Sequence, residues 1–243
     1  PRSVLQYLVT DKENPNAIVN LVPRARENAR SAQDHITKEL WQCLNDYYHT
    51  MREEWLAQWL QKDDPITILD VLIKQGVLYY GTADITMSRG EGNSFINIGK
   101  FLERAILSVD LLGVKFSHHN YEADTPADAH YWKYLLLSIS GYELYLKTYR
   151  SSFEARNVVE QVVINTSFPR SIIYSLTRLQ RYSERLKGDI DPRSYQEVDF
   201  MIGKLLSEIK YSTAENIIRQ DLHQFLQRVK TDLHAIANAF NLH

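Results

Sequence analysis

Cysteine is nearly missing from this sequence: Cys43 is the only one in 243 residues. A single thiol excludes an intrachain disulfide and any cysteine metal cluster, and it fits a reducing cytoplasm. Glycine and proline are scarce as well, at 9 and 7, which favours long helices over turn-rich sheet. No uninterrupted apolar run is long enough to cross a bilayer, and no signal peptide is visible. Neither sign of charge dominates. Lys+Arg 28 stand against Asp+Glu 30, for a net charge of -2, so the chain lacks the basic footprint of a nucleic-acid binder.

What is present is ordinary for a globular chain. Apolar residues make up 44% and charged ones 24%, enough for a sizeable core in one domain over 1–243. Tyrosine is frequent, at 15, which suits helix edges where the ring packs and the hydroxyl stays wet.

The common chemistries leave no trace. There is no phosphate-cradling glycine loop and no Gly-x-Ser-x-Gly elbow. A ferritin-like di-iron bundle needs Glu-x-x-His on paired helices, and the chain has none. His223 and His234 share a helix face but stand roughly 16 Å apart, too far for one metal. His118 and His119 fall in a loop with no third ligand in view. Cys43 lies roughly 12 Å from His35 along a helix, so the two form a nucleophile and base only if that helix breaks. No metal and no cofactor are expected.

Helix starts punctuate the chain. After a lead-in over 1–13, Asn14-Pro15 reads as an N-cap and first helical position. Pro23 then kinks that helix or starts the next. Ala25, Ala29, Ala32, Ile36, Leu40 and Leu44 mark one core stripe on a segment running to about Gln61. Glu27, Arg30 and Asp34 form a possible charge ladder beside it. Asp64-Pro65 opens a helix to about Met87, in which Gly76 and Gly81 mark close contacts or a weak point. Thr125-Pro126 starts an aromatic-rich helix to about Arg150. A segment from Phe153 to Ile164 follows, and then a helix from Ser167-Phe168-Pro169 with Arg170 in its first turn. A cation there opposes the helix dipole unless Glu143 or Glu160 offsets it. Asp191-Pro192 starts the penultimate helix, and Ser212 with Glu215 forms a capping box for the last. The expectation is an all-α protein, a single elongated helical bundle of seven to nine helices, without strands.

The stretch Ser88–Phe116 organises the rest. Ser88 and Glu91 match a capping box. Phe95, Ile98, Leu102, Ala105, Val109, Leu112 and Phe116 then recur at steps of three and four, one apolar helix face. Ile96, Leu107 and Leu111 lie on the opposite side with Lys100 and Arg104, which places the helix centrally. Glu103 and Arg104 are adjacent, so they point about 100° apart and do not simply pair. If buried, each needs a partner elsewhere. Gly99, one turn before Glu103, would admit a neighbouring helix. The two charges are either structural ion pairs or a polar site inside the bundle. Arg26, Glu27, Asn28 and Arg30 are candidate partners for them.

TMSRGEGNSFINIGKFLERA (Thr86 to Ala105) resembles the second Glu-Arg motif of the alpha-E family, a bacterial all-α family. NPNAIVNLVPRARENAR (Asn14 to Arg30), WKYLLLSISGYELYLKTYR (Trp132 to Arg150), VVEQVVINTSFPRSI (Val158 to Ile172) and TAENIIRQDLHQFL (Thr213 to Leu226) are similar to further ordered pieces of it. Gly90 and Asn93 depart from the pattern, which usually has an acidic residue and an aromatic there. An earlier helix with a first Glu-Arg motif is expected to be missing ahead of Pro1. A site shared between two such motifs would then be incomplete.

The resemblance implies a non-catalytic or accessory subunit of a peptide- or amide-forming system, with an ATP-grasp ligase and a transglutaminase-like peptidase as protein partners. The charge balance and the lack of a long apolar run give no nucleic-acid or membrane partner as the expectation, and a homo-oligomer stays open. The alternative is an enzyme or ligand-binding protein whose pocket is lined by Arg24, Arg26, Glu27, Asn28, Arg30, Arg89, Glu91, Glu103, Arg104 and Arg170. Bidentate arginine contacts would hold an anionic or peptide-like ligand there. Many arginines with few histidines favour binding over proton transfer.

Overall fold

The computed structural model describes residues 2–52, 65–118, 121, 129–150 and 153–241. It is all-α, and among the described residues the helical segments are α1 (Arg2–Val9), α2 (Ile18–Ser31), α3 (Lys38–Arg52), α4 (Pro65–Thr86), α5 (Glu91–Ser117), α6 (Ala129–Ser138), α7 (Tyr142–Tyr149), α8 (Ala155–Val159), α9 (Ile172–Glu184), α10 (Pro192–Lys210), α11 (Ala214–Arg219) and α12 (Leu222–Asn241). Among the described residues twelve helices stand where seven to nine were expected. Among the described residues one isolated β-bridge joins Lys187 and Ile190. No described helix is long and apolar enough to cross a membrane. The chain divides into two compact units, Pro1–Asn93 and Ser94–His243.

The extra helices come from breaks inside segments with an unbroken apolar pattern. Between Ala32 and Thr37 the chain makes a single 3-10 turn, Gln33–His35. Thr37 then caps α3 by accepting the Leu40 amide at 3.3 Å. The aromatic-rich helix is cut at Ser140 and Gly141. Ser140 has φ +55, and the amides of Ser140 and Gly141 donate back to the carbonyls of Leu137 and Leu136. That is a Schellman closure with serine, not glycine, in the left-handed position. The last helix is cut at Asp221, whose φ is +82. Its carboxylate accepts the Gln224 amide at 3.1 Å and so restarts the chain as α12.

Unit 1 starts with a helix where a lead-in was expected: the run Val4–Val9 belongs to α1. Asn14 is not an N-cap. It is buried, its amide donates to the Tyr7 carbonyl at 2.8 Å, and its side-chain oxygen accepts the Asn16 amide. Asn20 reaches back to the carbonyls of Lys12 and Asn14 at 2.9 and 2.8 Å. The two asparagines thus stitch a turn, and α2 begins only at Ile18. Pro23 lies inside α2. α2 packs on α3 and α3 on α4, around Val9, Val22, Met51, Ile68 and Leu72. Of the expected stripe, Leu40 and Leu44 are buried while Ala25 is exposed. Asp64 and the 53–61 stretch lie outside the described residues.

In unit 2 the heptad face of α5 holds. Ile98, Leu102, Ala105, Val109, Leu112 and Phe116 are buried in one core, and Phe95 alone is exposed. On the second apolar side Leu111 packs against the core, whereas Leu107 is 50% exposed. The helix also starts at Glu91, three residues after Ser88. α9 packs along α10, and α10 along α12. Asp191 caps α10 by accepting the amides of Arg193 and Ser194, with Pro192 in its first turn as expected. Thr213 caps α11 through the Asn216 amide. Thr125 to Asp128 and His119 lie outside the described residues.

Candidate functional site

Arg104 and Ser108 stand one turn apart on α5 and face the same backbone. The Arg104 guanidinium donates to the Pro169 carbonyl at 3.2 Å. It also lies 5.3 Å from the centre of the Phe101 ring. The Ser108 hydroxyl is 2.8 Å from the Arg170 carbonyl and 3.0 Å from that of Arg104. Pro169 and Arg170 precede α9, so their carbonyls are outside any helix ladder and need donors from elsewhere. Ser171 closes the loop. Its hydroxyl donates to the Asn165 carbonyl at 2.7 Å and accepts the Tyr174 amide at 3.1 Å, capping α9.

A second contact presses on the same loop. Phe168 is buried and lies against Gly141. Gln161, wholly buried in the π-helical turn Glu160–Ile164, donates its amide to the Gly141 carbonyl at 2.7 Å. A β-carbon at Gly141 would sit 2.7 Å from the Gln161 amide nitrogen and 2.9 Å from the Phe168 ring. No side chain fits there without displacing one of them. Three sequence motifs therefore converge: Glu103-Arg104, the Ser140–Glu143 turn, and Phe168–Ser171.

Glu103 is not part of this knot. It lies on the exposed side of α5, so it needs no buried partner. Gly99 also faces open space, with no atom within 4 Å of an added β-carbon, and the same holds for Gly76 and Gly81. The close approaches belong instead to Gly141 and to Gly92, where a β-carbon would meet the His35 carbonyl oxygen at 2.5 Å. Arg170 precedes the N-cap of α9 rather than lying in its first turn, so it does not oppose that helix dipole. Its side chain is exposed.

The unit 1 candidates lie along a surface. The Arg26 side chain is largely enclosed, 24% exposed. It donates to Asn45 at 2.9 Å and to Glu27 at 3.2 Å, and its guanidinium carbon lies 4.6 Å from the Tyr48 ring centre and 5.3 Å from that of Trp41. Trp41, Asn45 and Tyr48 share one face of α3 and hold this cation by stacking and hydrogen bonding. Glu27 also takes Arg30 at 3.7 Å. Asp34, in the 3-10 turn, is not on that helix, so the ladder stops at Arg30. Arg24 donates to the Pro15 carbonyl at 3.3 Å. Asn28 is exposed. Arg89 clamps Asp84 through its carboxylate at 3.0 Å and its carbonyl at 2.8 Å. Glu91 is exposed in the first turn of α5, where an acid complements the dipole.

Burial, not activation, shifts the titrating groups. The Cys43 thiol is pushed up by burial, partly offset by a bond from Thr82, the opposite of an activated nucleophile. His35 is exposed in the 3-10 turn. Tyr149 is pushed up to about 12, first by burial and then by the Glu160 carboxylate. Among the described residues no three metal-ligating side chains gather. A cavity opens between α5 and α12, and none of the ten candidate residues lines it.

Sequence reasoning missed Ser108, Gly141 and Gln161 as working residues. Gly141 carried a readable signal, a glycine inside a helical pattern. Ser108 and Gln161 looked like ordinary helix polar residues.

The chain is 23% identical over 249 residues to uncharacterised proteins of Mycobacterium bovis and Mycobacterium tuberculosis. The match takes in 97% of this chain and 27% of each relative, so the chain spans about a quarter of their length. No solved structure matches it. A family model described as a predicted alpha-helical domain with a conserved ER motif matches residues 1–243, and the chain belongs to this Alpha-E family.

Proposed function

We propose that this chain is a non-catalytic, accessory helical module of a peptide- or amide-forming system, recruited by an ATP-grasp ligase and a transglutaminase-like peptidase. The observation that carries the reading is the split within the Glu-Arg motif. Arg104 bonds to the Pro169 carbonyl, while Glu103 is exposed. A motif acid that the fold does not use is available to a partner, and rim charges of this kind set specificity and association rate. The length of the relatives supports a domain that works beside others. The same reading treats 1–243 as one functional domain, an elongated bundle acting in the cytoplasm, with self-association possible.

A second reading keeps a site for an anionic or peptide-like ligand. It rests on Arg30, whose pairing with Glu27 is long at 3.7 Å and whose side chain is 66% exposed. Such a guanidinium is available to a carboxylate from outside.

The test is a pull-down from native lysate with the full-length protein and its Glu103→Ala and Arg104→Ala variants, each first checked by thermal melt. Recovery of an ATP-grasp or peptidase partner that is lost from folded Glu103→Ala supports the accessory role. Recovery of no such partner overturns it and leaves the ligand-binding reading.

A further inference from the structure

The cavity between α5 and α12 has about 210 Å³ of space. It is small against sites for drug-sized ligands, which run from roughly 300 to 1,000 Å³. Its walls combine apolar side chains, Val114 and Leu226, with Gln227 and one charge pair, Asp110 and Lys230. The pair is closed at 2.7 Å, and its side chains are 41% and 37% exposed. A half-exposed pair of this kind contributes little, so opening it is cheap. Opened, it presents one carboxylate and one ammonium side by side against an apolar wall. Gly113 lies between these groups on α5, and a β-carbon there would meet nothing within 4 Å.

We propose that this cavity binds a small apolar α-amino acid. Its ammonium pairs with Asp110, its carboxylate pairs with Lys230, and its side chain lies on Val114 and Leu226. One charge pair is exchanged for two, so no charge is left uncompensated. A carboxylate alone or an amine alone would break the existing pair and replace it with only one. The site is independent of any partner protein.

The experiment is calorimetric titration of the 243-residue chain with L-valine, and with isobutyrate and isobutylamine as probes that keep the apolar body and one charge. Valine should bind at least tenfold more tightly than either probe. Asp110→Asn and Lys230→Met should each weaken it at least tenfold. Gly113→Leu fills the cavity from a position with free space, so it should abolish binding while the protein melts at or above the wild-type temperature. Lack of valine binding to the wild type overturns the proposal. So does equal binding of the single-charge probes, or undiminished binding to Gly113→Leu.

Discussion

The two units bury their apolar residues differently. Unit 2 gathers them into one core that runs from Ile98 to Ala239 and includes every helix from α5 to α12. Unit 1 holds a small cluster around Ile68 and Leu72 and leaves Ile66, Ile73, Val77, Leu78 and Ile85 of the same helix exposed. Ile68 and Ile73 show the contrast within α4: one is fully buried and the other 62% exposed. Polar residues follow the same division. In unit 2 Arg104, Ser108 and Ser171 bond to backbone carbonyls of the loop before α9, and Gln161 bonds to that of Gly141. In unit 1 the cations Arg30 and Arg89 pair on the surface, where such contacts contribute little. The stability of the chain is therefore concentrated in unit 2, and the motif residues there act first on the fold.

The sharpest way to break this contrast is Gly141→Val. Its side chain must displace Gln161 or Phe168, and we expect a loss of about 3 kcal/mol in urea unfolding. In unit 1, Ile68→Ala should cost about 2 kcal/mol, the low end for a buried isoleucine because the small cluster can relax. Ile73→Ala, on the exposed side of the same helix, should stay within about 0.5 kcal/mol of wild type. Equal losses from the two isoleucines would mean that the exposed side of α4 is covered in solution.

Gly99→Ala should stabilise by about 0.5–1 kcal/mol, since the glycine is helical and faces open space. A loss would show instead a close helix contact at Gly99. A further effect is alkaline. Tyr149 keeps its proton to about 12 in the fold, while the unfolded chain releases it near 10.0. The fold therefore has its full contribution from this group below pH 10 and loses it as pH rises toward 12. Urea titrations across that window should show a shallower fall for Tyr149→Phe than for wild type.

The α5 heptad was legible because every third or fourth residue from Ile98 to Phe116 is apolar, and a helix has one way to bury such a stripe. Asp191-Pro192 was legible because its cap is local chemistry. The breaks were harder. Ser140 and Asp221 adopt positive φ without being glycine, so the usual sign of a helix end is missing at the residue that makes it. Asn14-Pro15 carried the signal of an N-cap, but a turn joining α1 to α2 uses the same asparagine chemistry. The site was legible as motifs and not as geometry. Glu103-Arg104 and Phe168–Ser171 were visible as separate pieces, while their meeting at the Pro169 and Arg170 carbonyls depends on contacts more than sixty residues apart.

The division of the Glu-Arg motif is the central claim, and parallel urea unfolding of Glu103→Ala and Arg104→Ala tests it most directly. Arg104→Ala removes the donor to the Pro169 carbonyl and should cost about 1 kcal/mol or more. Glu103→Ala changes an exposed side chain and should stay within about 0.5 kcal/mol of wild type. A loss from Glu103→Ala as large as that from Arg104→Ala would contradict the account, because the acid would then belong to the fold and not be free for a partner.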